Sequence, residues 1–230
     1  MATLLDNIMW NCMSGPHAHF AVGAGDVRRY APGFSPIIGC RDPERPDFAT
    51  LEGFCQPGES FYVDIWSGPA PAGREIAREP RMHKMVWDAP APEGDAAPDA
   101  TLLRPEHAPR AVELAKLTNP GPFGIRTPEL GEYFGYFEGE RLVAMAGERT
   151  AAGPMREISG VCTHPDFQGR GYARRLVDKL VRRQLARGET PFLHVMSTNH
   201  AGHGLYQRMG FRDYRETVVR VVSPTPEALP

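Results

Sequence analysis

Residues 156–188 read REISGVCTHPDFQGRGYARRLVDKLVRRQLARG, and this stretch sets the architecture. Arg156 to Thr163 is a strand-like run that stops at His164-Pro165. Gln168-Gly169-Arg170-Gly171-Tyr172-Ala173 is a glycine turn opening a helix. Ala173, Leu176, Val177, Leu180, Val181 and Leu185 then recur at helical spacing and form one apolar stripe. Gly188 ends it. Strand, glycine turn and helix start make an anion-binding arrangement. Glycines let the backbone approach a ligand, and the unpaired N–H groups and dipole of the helix start favour negative charge. A diphosphate fits it. The dinucleotide pattern GxGxxG fails at its third glycine, where Arg174 stands, and no Walker A run or GxSxG elbow is present.

The flanking sequence extends the pattern. Pro105 to Leu117 has helical periodicity. Tyr133 to Phe137 and Leu142 to Glu148 are strands joined by the turn Glu138-Gly139-Glu140. Pro191 to Met196 is a strand, His200 to Met209 a short helix closed by Gly210, and Phe211 to Val222 a last strand. Upstream, residues 89–100 (APAPEGDAAPDA) lack large apolar side chains and read as a linker. Residues 1–88 are weakly patterned. Glu59 to Trp66 and His83 to Asp88 read as strands and the spacing of Phe48, Leu51, Phe54 and Cys55 as a helix, so a small α/β unit is expected there. The fold class is α/β (α+β), with a larger unit at 101–230.

Composition narrows the function. The 230 residues carry a net charge of −2, which argues against bulk nucleic-acid binding. Residues 1–100 hold −6 and residues 101–230 hold +4, so the second part is the better home for an anionic ligand. No run of 18 apolar residues exists, and the first eleven residues do not read as a signal peptide. The four cysteines (Cys12, Cys40, Cys55, Cys162) show no regular spacing, so reduced thiols and a cytoplasmic location are expected. His17-x-His19 and His200-x-x-His203 lack a third partner at metal-ligand spacing, so no metal is expected.

Gln168, Gly171 and Ala173 satisfy the pattern [Gln/Arg]-x-x-Gly-x-[Gly/Ala]. Thr163-His164-Pro165 precedes it, and Asn199 with Leu205-Tyr206-x-x-x-Gly210-Phe211 follows. On these motifs residues 101–222 resemble the GNAT N-acetyltransferase superfamily, in a branch similar to the C-terminal half of glycine N-acyltransferases. The resemblance implies a mixed, mostly antiparallel sheet flanked by helices, with residues 1–88 a smaller unit or a degenerate first half. It implies acetyl-CoA as co-substrate, held through its diphosphate by Gln168, Gly169, Arg170, Gly171, Tyr172 and Ala173. Val161, Cys162 and Thr163 would pair by backbone with the pantetheine arm, and Asn199 would bond that arm or fix the next helix. Gly202 and Gly204 depart from the family pattern and weaken the helix that carries Tyr206.

The implied reaction is direct acyl transfer to a primary amine. An alkyl amine with a pKa near 10.4 is neutral in only about 1 molecule in 2,500 at pH 7, which costs roughly 4.6 kcal/mol. A base is therefore useful, and Glu157, Glu148 and water are the candidates. Tyr206 stands where the family's general acid stands, facing the departing thiolate. Phe123 and Tyr133 are expected to line the acceptor pocket. The expected acceptor is a small amine or amino acid, on a monomer or homodimer, with neither nucleic acid nor membrane as partner. A non-catalytic acyl-CoA sensor and a protein N-terminal or lysine acetyltransferase are the alternatives.

Overall fold

A computed structural model describes residues 2–226. Strands β1 (Ala21–Val22), β2 (Val27–Tyr30) and β3 (Ile38–Cys40) form a small antiparallel sheet, preceded by helices α1 (Ala2–Asp6) and α2 (Ile8–Met13). Helix α3 (Phe48–Glu52) starts on Asp47, whose side chain accepts from Thr50 N–H. The remaining strands build one nine-stranded sheet: β4 (Phe61–Asp64), β5 (Arg74–Arg78), β6 (Arg81–Trp87), β7 (Thr101–Leu102), β8 (Tyr133–Glu138), β9 (Arg141–Ala152), β10 (Met155–Thr163), β11 (Thr190–Met196) and β12 (Phe211–Pro224). Its order is β4-β12-β6-β11-β10-β9-β8-β7, with β5 also pairing with β12. Among the described residues β10 and β11 are the only strands that pair in parallel, apart from the isolated parallel bridge between Ile37 and Tyr62. The crossover between them is helix α5 (Tyr172–Ala186), which satisfies the length a parallel connection needs. Helices α4 (Ala108–Thr118) and α6 (His200–Met209) complete the fold, which is the mixed, mostly antiparallel architecture expected.

Two layers cover the sheet. On one face the α5 stripe of Leu176, Val177, Leu180 and Val181 packs on Ile158, Leu193, Val195 and Phe134. Each fully buried aliphatic side chain here contributes about 1.5–3 kcal/mol. On the other face α1 and α2 bring Leu5, Ile8, Met9 and Met13 onto Phe192, Met155 and Val86, while α4 covers Met145, Cys162 and Tyr133. Alternate strand residues therefore serve different layers.

The sheet crosses the 1–88/101–230 division expected from composition. Strand β6 lies between β11 and β12, pairing Leu193 with Met85 and Arg212 with Val86. Residues 89–100 are strapped onto α5. Ala97 is fully buried, Lys179 Nζ meets Asp95 at 2.5 Å and Ala97 O at 3.0 Å, and Arg175 donates to Ala96 O and Asp99. Arg183 and Arg187 hold Glu132 in the same way. Arg175, Lys179, Arg183 and Arg187, the cations on and just past α5, are thus tied to neighbouring segments.

Candidate active site

The parallel pairing of β10 with β11 lasts from Met155↔Thr190 to Ile158↔Leu193. Beyond it β10 stays with β9 as far as Thr163↔Ala144, and β11 stays with β6 as far as Met196↔Met82. The two strands therefore part into a V. A bulge between Ser159 and Cys162, with Gly160 at φ +63°, bends β10 away. Ser159, Gly160 and Val161 line one arm of a cavity of about 250 Å³, and Val195 and Met196 line the other. Where the arms separate, their facing backbone groups have no strand partner among the described residues. An extended chain could add there as a strand does.

The glycine turn follows the end of β10 after a single 3-10 turn, Pro165–Phe167, and leads into α5. Gly169 and Gly171 both take left-handed φ, +76° and +77°, and a Cβ on either would meet open space. Gly171 is the N-cap of α5 and no side chain caps that helix, so its first N–H groups remain available to an anion. Arg170 lays its guanidinium over the Phe167 ring at 4.6 Å. Gln168 is exposed, Tyr172 and Ala173 are half-buried, and Tyr172 stacks on Tyr136 with centroids 4.5 Å apart. The turn therefore fits a diphosphate through its backbone.

Val161 faces the cavity, whereas the Cys162 side chain points into the α4 layer, where burial pushes its thiol up to about 11. Thr163 ends the strand, its hydroxyl buried without a partner among the described residues. Asn199 lines the cavity and caps α6, its Oδ1 accepting from Gly202 N–H at 2.9 Å. Tyr206, two turns further, is 8% exposed and lines the same cavity. Burial pushes its hydroxyl up to about 12, so it stays protonated at neutral pH.

The expected bases lie elsewhere. Glu157 is fully buried and does not line the cavity. Its carboxylate accepts from Arg149 at 2.6 and 3.1 Å, from Thr150 Oγ1 at 2.7 Å and from His194 Nδ1 at 2.8 Å. Burial opposes its charge, but Arg149 and His194 outweigh burial and hold it well below the usual carboxylate range. A carboxylate so held is a poor proton acceptor. Glu148 is equally engaged, accepting from Gln184 at 3.0 Å and pairing with Arg187. The residue that does reach the cavity is His194, with Asp64, Arg78 and Arg149 as the cavity's other charged or titratable neighbours apart from Tyr62 and Tyr206.

Phe123 and Tyr133 are also displaced from expectation. Asn119, Pro120, Gly121 and Pro122 line the cavity, but Phe123 turns away onto Tyr133, ring centroids 5.8 Å apart. Both rings stand behind Gly160, within 3.4 Å of where its Cβ would be. The far wall comes from the N-terminal segment and its strands, through Met9, Ile37, Tyr62 and Asp64. His203 does meet partners that spacing alone did not reveal. Its Nε2 lies 2.7 Å from Asp213, its ring stacks on His83 at 4.3 Å, and the ligand atoms of the three fall within 4.8 Å of one another. His17 is a buried residue paired with Tyr30 Oη at 3.0 Å.

Comparison with known proteins agrees with this geometry. The FR47-like protein family model matches residues 133–221. A crystal structure from Novosphingobium aromaticivorans, described as an acetyltransferase from the GNAT family, is 32% identical, with 96% of this chain and 98% of that chain covered and a TM-score of 0.86. A GCN5-related N-acetyltransferase-like protein from Streptococcus suis shares the fold at 14% identity, covering 93% and 92% of the two chains with a TM-score of 0.61. A GCN5-related N-acetyltransferase from Kribbella flavida does so at 16% identity, 90% and 90% coverage and a TM-score of 0.56. No functionally curated protein matches the chain. With a relative this similar over nearly its whole length, and with the parted strands and the glycine turn in place, the chain belongs to the GNAT family of acetyltransferases.

Proposed function

We propose that this protein is an acetyl-CoA-dependent N-acetyltransferase acting on a small primary amine or amino acid by direct transfer. The observation that carries the reading is the parting of β10 and β11, with Tyr206 on the resulting cavity and an uncapped helix start following β10. Acetyl-CoA supplies an acyl group activated as a thioester. The backbone N–H groups of Gln168 to Ala173 hold its diphosphate, and Val161, Cys162 and Thr163 offer strand-edge groups to the pantetheine arm. Asn199 fixes the start of α6 and thereby the place of Tyr206. Tyr206 keeps its proton until the departing sulfur faces it, then donates.

An amine acceptor is supported by the second wall. Asp64 Oδ1 is buried and unpartnered among the described residues, on a side chain that lines the cavity. An unpaired buried acceptor calls for a donor, and an ammonium brings both donors and opposite charge.

The test is thiol release from acetyl-CoA with a panel of small amines, amino acids and short peptides, using Tyr206→Phe as control. Release with one acceptor class, lowered at least tenfold in Tyr206→Phe while acetyl-CoA binding is unchanged, is the expected result. Binding of acetyl-CoA without release on any acceptor would favour a sensor instead.

A further inference from the structure

Resting on the proposed N-acetyltransferase reading, we propose that His194 is the catalytic base that takes the proton from the acceptor ammonium, and that Glu157 and Arg149 are positioning residues for its ring. His194 is the central member of a polar row on one face of the sheet. Its side chain is 6% exposed, yet the residue lines the cavity. Nδ1 lies 2.8 Å from the Glu157 carboxylate, while Nε2 is buried and without a partner among the described residues. A carboxylate accepts only, so Nδ1 carries the hydrogen and the neutral ring keeps its lone pair on Nε2. The one ring atom able to accept a proton is therefore the one left free.

The surroundings explain why the ring stays in this state. Glu157 has three further bonds, two from Arg149 and one from Thr150, so it cannot swing away from Nδ1. The pattern is base, orienting carboxylate and anchoring cation, on three adjacent strands. The other charged or titratable groups near His194 are Lys84, its register partner on β6, and Tyr62, Asp64, Arg78 and Tyr206 on the cavity wall. Lys84 is fully buried, donates to Leu5 O at 2.6 Å and lies 3.8 Å from Asp64, so it is fixed and does not compete for the acceptor.

The protons balance. The ammonium gives one proton to His194 Nε2, directly or through one water. The neutral nitrogen bonds to the acyl carbon as the C–S bond breaks. Tyr206 protonates the leaving sulfur, and the surplus proton on the new amide nitrogen restores Tyr206. The imidazolium returns its proton to solvent, so one proton is released per turnover, with free CoA and the N-acetylated amine.

The experiment is the pH profile of kcat/KM on the best amine of the panel, for wild type, His194→Gln and Glu157→Gln, with acetyl-CoA affinity measured calorimetrically in each. Wild type should show an ionisation on its acidic limb. His194→Gln should lose about 100-fold at pH 7, keep its acetyl-CoA affinity, and rise with unit slope in pH, because only free amine then reacts. Glu157→Gln should move the acidic limb to lower pH, since the imidazolium loses its counter-charge, an effect that mere loosening of the fold does not produce. Histidine nitrogen NMR on wild type adds a readout independent of turnover and of variant folding: His194 should be the Nδ1–H tautomer at pH 7.5. A wild-type rate and profile in His194→Gln, or the Nε2–H tautomer, would overturn the assignment and leave the N-acetyltransferase reading standing. No turnover by wild type on any amine would overturn both.

Discussion

The two faces of the sheet at β10 and β11 are built on opposite terms. Toward α5, Ile158, Leu193 and Val195 meet Leu176, Val177 and Leu180 in an apolar layer. Toward the N-terminal segment, Glu157, His194, Lys84 and Arg149 form a buried polar row that extends to Asp64. The first face comes largely from one continuous stretch of chain. The second gathers residues from β4, β6, β9, β10 and β11. The half that would receive a common co-substrate is local and repeatable, and the half that would choose an acceptor is assembled by the whole fold.

The sharpest way to break this comparison is to remove a charge from the second face and a methyl cluster from the first. Arg149→Ala leaves Glu157 buried and uncompensated and should cost about 3–5 kcal/mol in urea unfolding. Replacing both partners by leucine should restore most of it. Leu180→Ala, on the apolar face, should cost about 3 kcal/mol by leaving a cavity. If the leucine costs clearly more than the arginine, the polar row is weaker than its hydrogen bonding implies.

Acid should also strike the second face first. Burial, aided by Arg156, lowers His17 from 6.5 to about 4. Its neutral form is therefore favoured in the folded chain, and that contribution, up to about 3 kcal/mol, is complete above pH 6.5 and lost as pH falls toward 4. Glu157, depressed below its ordinary 4.5, contributes stability that is present above 4.5 and fades further below it. Thermal melting between pH 7 and 4 should show a falling midpoint, with a shallower slope in His17→Phe.

On the co-substrate side the effects are smaller in stability and larger in binding. Gly171→Val forces a branched side chain into φ +77° and should cost about 1–2 kcal/mol. It should raise the KM for acetyl-CoA roughly tenfold, an effect expected of about 1.4 kcal/mol of lost binding. Gly202→Ala should change stability least. Its Cβ would meet Asn199 Nδ2 at 2.7 Å, so the helix-propensity gain of about 1 kcal/mol is offset by loss of the cap. In an Asn199→Ala background the same change should become stabilising.

Legibility from sequence follows the same divide. Residues 156–188 carry strand end, glycine turn and helix stripe in order, because each depends on neighbours within a few positions. Their elements, and those from Tyr133 to Phe211, appear near the expected bounds. Strand β9 runs on to Ala152, past the expected end at Glu148, because Arg149 and Thr150 are buried against Glu157 rather than turned to water. His194 alternates with Phe192 and Met196, which shows a shared face but not what that face meets. Phe123 was expected in the pocket from the family resemblance, on a connection rich in proline and glycine. The connection is there, but backbone course alone does not say that the ring folds back on Tyr133. The lack of large apolar side chains in 89–100 is plain from sequence; its attachment depends on Lys179 and Arg175, some eighty residues away.

The insertion of β6 between β11 and β12 has a consequence for how the chain is made. A nascent chain emits β6 more than a hundred residues before either neighbour. Until β11 and β12 arrive, that strand must wait with both edges unsatisfied, in the company of α2 and the small sheet. Conversely, a fragment beginning after residue 100 would carry β11 and β12 with a gap between them and two bare edges, an invitation to pair with other molecules. Assembly is therefore slow to nucleate and late to close. The region matching the FR47-like model is an incomplete piece of masonry without its early strand as keystone.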